Sequence, residues 1–347
     1  MKSIYKESGG IFMTIKDIAK LAGVSKSTVS RVINNAPNVD EKTRALVLKV
    51  MDDNNFIPSA SARSLSKQET TFIGVILPDL GNSFFGQIVE GINSILAETE
   101  YTMLFCCTDN DAARELKALK LLRLQKVCGL LISSSVNYCD EEMNASIRKA
   151  LSDIEAPIVL IDRSIPNTPW DGVYSDNING SYISTELLIK KGYKRIGAFV
   201  SDTKLLIGQE RLLGFKKAMT DYSIEIHDDY IYTQDMPAAI TDVFTYVSHM
   251  IEEKKLPEAV FLSNAIIANG FYKALFYHGI QPGKDIECVG FDYSEALDIM
   301  HVPYNYLKRN ARLFGQTAAQ MLLDSIQNLK QSNSIRREHI IPSSLHE

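Results

Sequence analysis

No apolar run in the chain approaches the roughly 20 residues needed to span a bilayer. The N-terminus lacks the apolar block and small-residue cleavage site of a secretory signal. A soluble, cytoplasmic protein is therefore the expectation. Cysteine is sparse and odd in number: Cys106, Cys107, Cys128, Cys139 and Cys288, with no C-x-x-C spacing. That pattern argues for buried free thiols in a reducing compartment and against a disulfide framework or metal site. Catalytic signatures are missing as well, since no G-x-S-x-G, G-x-x-x-x-G-K-[ST] or H-E-x-x-H occurs. The six histidines (His227, His249, His278, His301, His339 and His346) show no ligand-like spacing. No metal, cofactor or enzymatic activity is expected.

What is present is length and an uneven spread of charge. With 347 residues, 45 % of them hydrophobic, the chain can bury several cores, so more than one domain is expected. The net charge is −5, yet residues 13–68 carry nine Lys/Arg against five acids, a local charge of +4. Residues 1–12 add +1, which leaves −10 on residues 69–347. A small basic head on an acidic body suggests that the head meets a polyanion and the body does something else.

The head reads as three short helices. Thr14 precedes the helical spacing Ile15, Ile18, Leu21, Ala22, and Asp17 three residues on completes a capping-box-like start. Gly23 ends this helix and allows a sharp turn. Ser25 caps a second helix with Val29, Val32 and Ile33 inward and Lys26, Ser27, Thr28, Ser30 and Arg31 outward. Asp40 caps a third, whose apolar side is Ala45, Val47, Val50 and Met51, with Phe56 closing the core. Two helices joined by a tight glycine turn make a helix-turn-helix, whose second helix lies in the DNA major groove. Lys26, Ser27 and Arg31 can reach base edges, and Arg suits bidentate contact with guanine. Thr28, Ser30 and Asn34 suit phosphate oxygens, and Thr14 and Ser25 are counted with the same DNA-facing set. The bland alternative is a three-helix subdomain with a solvated polar face.

"TIKDIAKLAGVSKSTVSRVINN" followed by "VDEKTRALVLKVMDDNNFIPSASARSL" resembles the DNA-binding unit of the lac-repressor (LacI) family of bacterial transcription regulators. The resemblance implies that Lys26, Ser27 and Arg31 read the major groove. It implies too that "PSASARSLSK" forms a hinge helix on DNA, with Leu65 as a minor-groove wedge and Ala62 beside it. That segment has too little apolar surface to stay helical alone, and an apolar wedge unstacking a base step would stabilise it. Family members usually begin at a methionine in the place of Met13. Gly9-Gly10 could be encoded by a purine-rich ribosome-binding sequence, so residues 1–12 are expected to be a translated leader, with a real N-terminal arm as the alternative. The expected division is thus a leader at 1–12, the helix-turn-helix at 13–57, a hinge at 58–70 and an effector-binding body at 71–347.

From residue 71 short apolar runs such as "TFIGVILPD", "YTMLFCCTD" and "APIVLIDR" alternate with amphipathic helical stretches. Strand–helix alternation of this kind means parallel sheets covered by helices, and so many units predict two doubly wound α/β lobes. Ligands in such sheets bind at the carboxyl ends of the strands. The expected fold class is an all-α head and hinge helix followed by these two lobes.

The body, too, resembles the LacI family and so the type I periplasmic sugar-binding proteins. The resemblance implies a first lobe of about 71–172 and 305–332, a second of about 173–304 and 333–347, and an effector between them. It points to Asn82, Phe84 and Phe85 in "PDLGNSFF", Asp162 and Arg163 in "IDR", Arg211 in "QERLLGF", Asn264 in "LSNAI" and Asp292 in "VGFD". Such residues suit a polyhydroxylated ligand: carboxylates and amides meet hydroxyls, arginine forks onto paired oxygens, and phenylalanine covers a ring face. The alternatives are that Asp176-Asn177 cap a helix and that Phe84 and Phe85 are core.

Two positions depart from the family pattern. Ala265 stands where aspartate is common, and "YNYLKRN" puts Arg309 at a glutamine position. One expectation is a cationic cleft that takes an acidic or phosphorylated sugar. The other is that Arg309 pairs internally with Asp292 or Asp298 and the ligand is neutral. The function implied is a homodimeric repressor of carbohydrate-catabolism genes that binds a pseudo-palindromic operator under control of a sugar-like effector. A solute-binding protein of the same fold is the alternative. No leucine-heptad tail follows "SLHE", so a dimer rather than a tetramer is expected.

Overall fold

The structure is a computed structural model that describes residues 13–33, 36–54, 56, 70–136, 141–235, 237–328 and 336–346. The expected leader, Asn34, Cys139 and the hinge residues Ala62 and Leu65 lie outside the described residues. The chain divides into two units, Met1–Thr70 and Thr71–Glu347.

In the first unit, α1 (Ile15–Leu21), α2 (Lys26–Ile33) and α3 (Glu41–Asp53) surround a core of Ile18, Val29, Val32 and Val47. Ile33, Val50, Met51 and Phe56 pack against it, half-buried. The Asp17 carboxylate accepts from Thr14 N and Thr14 Oγ1 at 2.8 and 2.7 Å, which starts α1. Gly23 has φ +64°, a left-handed conformation that costs glycine little, and it turns the chain into α2. Ser25 Oγ accepts from Thr28 N and Asp40 Oδ1 from Thr43 N, capping α2 and α3. The helices form as the sequence predicts, but Ala45 and Leu21 face solvent. Three short helices leave room for only about one inward row on α3, and Val47 fills it. Fully buried side chains contribute about 1.5–3 kcal/mol each, so a core this small depends on its caps.

The second unit contains two six-stranded sheets. Its elements in order are β1 (Phe72–Leu77), α4 (Ser83–Leu96), β2 (Thr102–Cys107), α5 (Ala112–Leu124), β3 (Gly129–Ile132), α6 (Glu141–Ser152), β4 (Ile158–Ile161) and β5 (Asp171–Tyr174). There follow α7 (Asn177–Lys190), β6 (Ile196–Val200), α8 (Leu206–Asp221), β7 (Ile231–Thr233), α9 (Ile240–Glu252), β8 (Ala259–Leu262), α10 (Ala265–Tyr277) and β9 (Glu287–Gly290). The last are α11 (Glu295–Ile299), β10 (Asn305–Arg309), α12 (Ala311–Gln327), β11 (Glu338–Ile340) and β12 (Ser343–His346). The first sheet runs β11-β5-β4-β3-β1-β2, all parallel, and the second runs β12-β10-β9-β8-β6-β7, parallel except that β12 is antiparallel to β10.

Strand alternation builds a core on each face of each sheet. Ile73, Val75 and Leu77 join Leu131, Val159 and Phe314 on one face, while Ile76, Leu130, Ile132 and Leu160 serve the other. In the second sheet Phe199, Val260 and Leu262 face one way, and Ala198, Val200 and Phe261 the other. Near-continuous apolar strands of this type need helices on both sides.

The lobe borders differ from the expected 172, 305 and 333. β5 remains in the first sheet through Tyr174, and β10 pairs with β9 in the second at Asn305 and Tyr306, followed by Leu307, whose side chain is fully buried in that sheet's core. α12 then returns to the first lobe against α4. Gly91 and Gly315 permit that contact, because a Cβ would lie 2.1 Å from Arg312 O or 2.0 Å from Ile88 O. β11 stays in the first sheet beside β5, and only β12 ends in the second. β11 is three exposed residues with no apolar alternation, so its sheet is not encoded in its pattern. The chain therefore crosses between lobes near residues 175, 310 and 341.

Among the described residues no helix is long and apolar enough to cross a membrane. Cys106, Cys107 and Cys128 are free and half-buried, and Cys288 is free and buried.

Candidate functional site

In the head, α2 presents its polar side outward. Lys26, Ser27, Ser30 and Arg31 fall within roughly 140° of arc at about 100° per residue, opposite buried Val29 and Val32. Lys26, Ser27 and Arg31 are exposed, while Thr28 and Ser30 are half-buried. Ser25 Oγ lies 2.7 Å from Ser27 Oγ and 2.8 Å from Thr28 Oγ1, a chain of hydroxyls at the start of α2. Arg44 Nη2 donates to Ala36 O at 2.6 Å and so ties α3 to the segment after α2. Lys26 and Arg31 form no ion pair among the described residues. Hydrogen bonds from the Thr14 side chain hold the Asp17 carboxyl below its ordinary range, and those from the Thr43 side chain do the same for Asp40.

In the body, one cleft of about 390 Å³, including its open mouth, brings nine sequence-predicted side chains together. From the first lobe come Asn82, Phe84, Phe85, Asp162 and Arg163, and from the second Arg211, Asn264, Asp292 and Arg309. Most stand at the carboxyl ends of strands or the starts of the following helices, where open α/β sheets place ligands. Asn82 Oδ1 caps α4 by accepting from Phe84 N at 3.0 Å. Asn264 Oδ1 caps α10 by accepting from Ile267 N at 2.9 Å. Phe84 and Phe85 are both cleft wall and core, 8 % and 4 % exposed and in edge-on contact with each other. Asp176 does not line the cleft; it caps α7 by accepting from Asn179 N.

Arg309 sets the electrostatics. Its Nε donates to Asp292 Oδ1 at 2.9 Å and Nη2 reaches the same oxygen, while Nη1 donates to Asp162 Oδ1 at 3.0 Å and to Ser175 Oγ at 3.2 Å. The guanidinium lies 3.8 Å from the Phe84 ring centroid, and the side chain is only 4 % exposed. Burial alone would lower its pKa, but Asp292 and then Asp162 outweigh that and raise it. The expected excess of positive charge is therefore cancelled, and the internal pairing is realised with Asp292. Asp298 instead accepts from Tyr293 Oη at 2.8 Å. The cleft holds three arginines and three aspartates and is formally neutral.

Arg211 is buried too. Its Nη1 donates to Ser263 O at 2.7 Å and Nε to Asn177 Oδ1 at 3.2 Å, with the guanidinium 3.9 Å from the Phe291 centroid. Burial pulls its pKa down to about 10. Asn177 in turn donates to Glu210 Oε2 at 2.9 Å, and burial raises the Glu210 carboxyl. Arg163 Nη1 donates to Asn110 Oδ1 at 2.8 Å. Behind it the fully buried Glu115 accepts from Ser134 Oγ and Ser135 Oγ, both at 2.6 Å, and from Ser135 N. Burial pushes the Glu115 carboxyl up. Four further lining residues, Ser201, Asp202, Ile207 and Gly208, were not singled out from the sequence. The available signal was position: "VSD" ends β6, at the carboxyl edge of the sheet. Among the described residues no cluster of side chains is able to hold a metal ion.

Comparison with known proteins bears on both units. Residues 14–59 match the family described as bacterial regulatory proteins, lacI family. Residues 70–346 match the periplasmic binding proteins and sugar binding domain of LacI family. The chain is 30% identical to the HTH-type transcriptional repressor PurR of Vibrio parahaemolyticus, over 93% of this chain and 94% of that one. It is likewise 30% identical to the ribose operon repressor of Haemophilus influenzae, over 91% and 92%. Its structure resembles that of the Lac repressor dimer bound to operator and the anti-inducer ONPF, with TM-score 0.79, 26% identity, and 96% and 98% of the two chains covered. These relatives are regulators rather than enzymes. A basic helix-turn-helix followed by a two-lobed body is thus shared along nearly the full length, and the chain belongs to the LacI family of DNA-binding transcriptional repressors, with the sugar-binding domain of that family as its body.

Proposed function

We propose that the protein is a homodimeric repressor of carbohydrate-catabolism genes whose hold on a pseudo-palindromic operator is governed by a small, neutral, sugar-like effector in the cleft. The observation that carries the effector class is the charge balance of the cleft, in which Arg309 is paired with Asp292 and Asp162 and three arginines stand against three aspartates, with no net surplus of positive charge to select an anion. The acidic or phosphorylated alternative depends on such a surplus. Support for the DNA role comes from the exposed face of α2, where Lys26, Ser27 and Arg31 have the donors that base edges accept. Thr28, Ser30 and Asn34 set register on phosphates, Thr14 and Ser25 belong to the same DNA-facing set, and Leu65 with Ala62 acts in the minor groove. A solute-binding protein would have no use for such a head.

Three chain crossings join the lobes, and an effector that binds one lobe angle better than another shifts their equilibrium. That angle sets the spacing of the two hinge segments in a dimer, and hence operator affinity. The coupling is reciprocal, so operator DNA alters effector affinity by the same factor. The test is a gel shift on DNA upstream of the chain's own gene, with neutral sugars, sugar acids and sugar phosphates added separately. A response confined to neutral sugars is expected; a response only to acids or phosphates rejects the effector class. Absence of a specific shift rejects the DNA role.

A further inference from the structure

A second cavity, of about 690 Å³ including its open mouth, adjoins the cleft at β10. It shares Phe84, Asp292 and Arg309 with the cleft. The rest of its lining is largely its own: Ser83 and Gln87 from α4, and Tyr293, Tyr306 and Lys308 from the second lobe. Strand alternation separates the two groups on β10. Leu307 enters one core of the second sheet and Tyr304 packs against the other, so Tyr306 and Lys308 project on the face opposite to Leu307 and Arg309.

The two cavities differ in charge. The cleft is formally neutral, whereas here Arg309 and Asp292 cancel through their own hydrogen bond and Lys308 leaves a charge of +1. Asp298, which accepts from Tyr293 Oη, is not part of the lining. Lys308 is exposed and, among the described residues, its amine has no ion pair, hydrogen bond or ring contact. The Gln87 amide and the Ser83 hydroxyl, both within reach of solvent, also have no hydrogen-bond partner among the described residues.

A lone exposed lysine is an ordinary solvated cation; the walls around this one make the difference. Tyr306 is held by Tyr304, stacked at 5.7 Å, by His346 at 4.7 Å and by Tyr293 at 5.4 Å between ring centroids. Tyr293 is fixed in turn by its hydrogen bond of 2.8 Å to Asp298. Phe84 is wedged between the Arg309 guanidinium and edge-on contacts with Phe85 and Phe314. Yet Tyr293 and Tyr306 remain only half-buried. Fixed aromatic walls with a few unpaired polar groups are the usual make-up of a small-molecule site, and walls already in place lower the entropy lost on binding.

We infer that this cavity is a second ligand site, separate from the effector cleft, and that it takes a small aromatic carboxylate. The carboxylate meets the Lys308 amine, a compact point charge suited to a monoanion. The ring lies against Tyr293 and Tyr306. Gln87 and Ser83 supply the remaining hydrogen bonds. One amide and one hydroxyl are too few to satisfy the many hydroxyls of a sugar acid, so a flat ring fits better than a polyol.

The test is calorimetry on the full chain, with benzoate, phenylacetate and indole-3-acetate as probes and their amides as uncharged counterparts. At least one carboxylate should bind the wild type about tenfold or more tightly than its amide, the effect of a hydrogen bond to a charged group. Lys308→Gln should abolish that preference with unchanged melting, since the amine has no partner to lose. Gln87→Glu, also at an exposed position, should weaken the carboxylate and leave the amide alone. Arg163→Ala alters the cleft but not this cavity, and should leave carboxylate binding intact. A wild type that binds none of the carboxylates, or binds acid and amide alike, overturns the assignment. So does a carboxylate whose binding survives Lys308→Gln, or one lost in Arg163→Ala, which would place it in the cleft. Sedimentation of the same variants closes the test: a changed association state in Lys308→Gln and Gln87→Glu would mean that a second copy of the chain covers the cavity, and the ligand site falls.

Discussion

Arg31 and Arg309 carry the same guanidinium in opposite settings. Arg31 is exposed on α2 and has no carboxylate partner among the described residues, whereas Arg309 is buried and held by Asp162 and Asp292. In water an unpaired cation costs little and waits for a phosphate or a base edge. In the low-dielectric cleft a cation must find acceptors, carboxylates for Arg309 and a carbonyl and an amide oxygen for Arg211, so it becomes part of the wall rather than a probe for ligand charge. The α2 face of the head is thus a surface whose partner is supplied from outside. The cleft is a surface that has largely satisfied itself.

The sharpest way to break this contrast is to remove the buried cation. Arg309→Gln leaves two buried carboxylates without their partner and should destabilise the body by about 3–5 kcal/mol in chemical denaturation. Adding Asp162→Asn and Asp292→Asn should recover part of that loss. A body as stable as the wild type would show that the pairs are not formed in solution. The matching change in the head should leave folding intact and act on DNA. Arg31→Ala should cost about 1–3 kcal/mol of operator binding with unchanged melting, read by gel shift near physiological salt. Lys26→Ala is expected to act in the same direction, with a shallower salt dependence if it also meets a phosphate.

A smaller effect concerns the caps on which the head's core relies. Thr14→Ala removes the hydroxyl that donates to Asp17 and should lower the head's stability by about 1 kcal/mol, seen as earlier melting of the helical signal. The smallest is a pH dependence of the body through Glu115. Its folded pKa is raised by burial, so the folded state holds the proton more tightly than the unfolded chain does. Its favourable contribution is complete below the ordinary carboxyl range and is lost as pH rises through the raised value. Glu115→Gln should flatten that part of the stability–pH curve; an unchanged slope would assign the dependence elsewhere.

The contrast also explains what was legible in the sequence. α1, α2 and α3 follow from local signals: Thr14, Ser25 and Asp40 stand where helices must begin, and Gly23 where the first must end. The alternating strands are equally local, as Ile73, Val75 and Leu77 against Ile76 demonstrate. Resemblance to the family picked out nine side chains that line one cavity. The pairing state of Arg309 was left open, because its partners lie 17 and 147 positions away and only the meeting of two sheets decides between them. The lobe borders were misjudged at β11, where three exposed residues are recruited by a sheet edge rather than by their own pattern.

The last strand has a practical consequence. Register places Ser343 opposite Arg309 and Leu345 opposite Leu307, so the tail is zipped onto the strand that furnishes the cleft's central cation. A proline at Ser344, which faces Lys308, would break this pairing and shift Arg309, and with it the wall of the cleft.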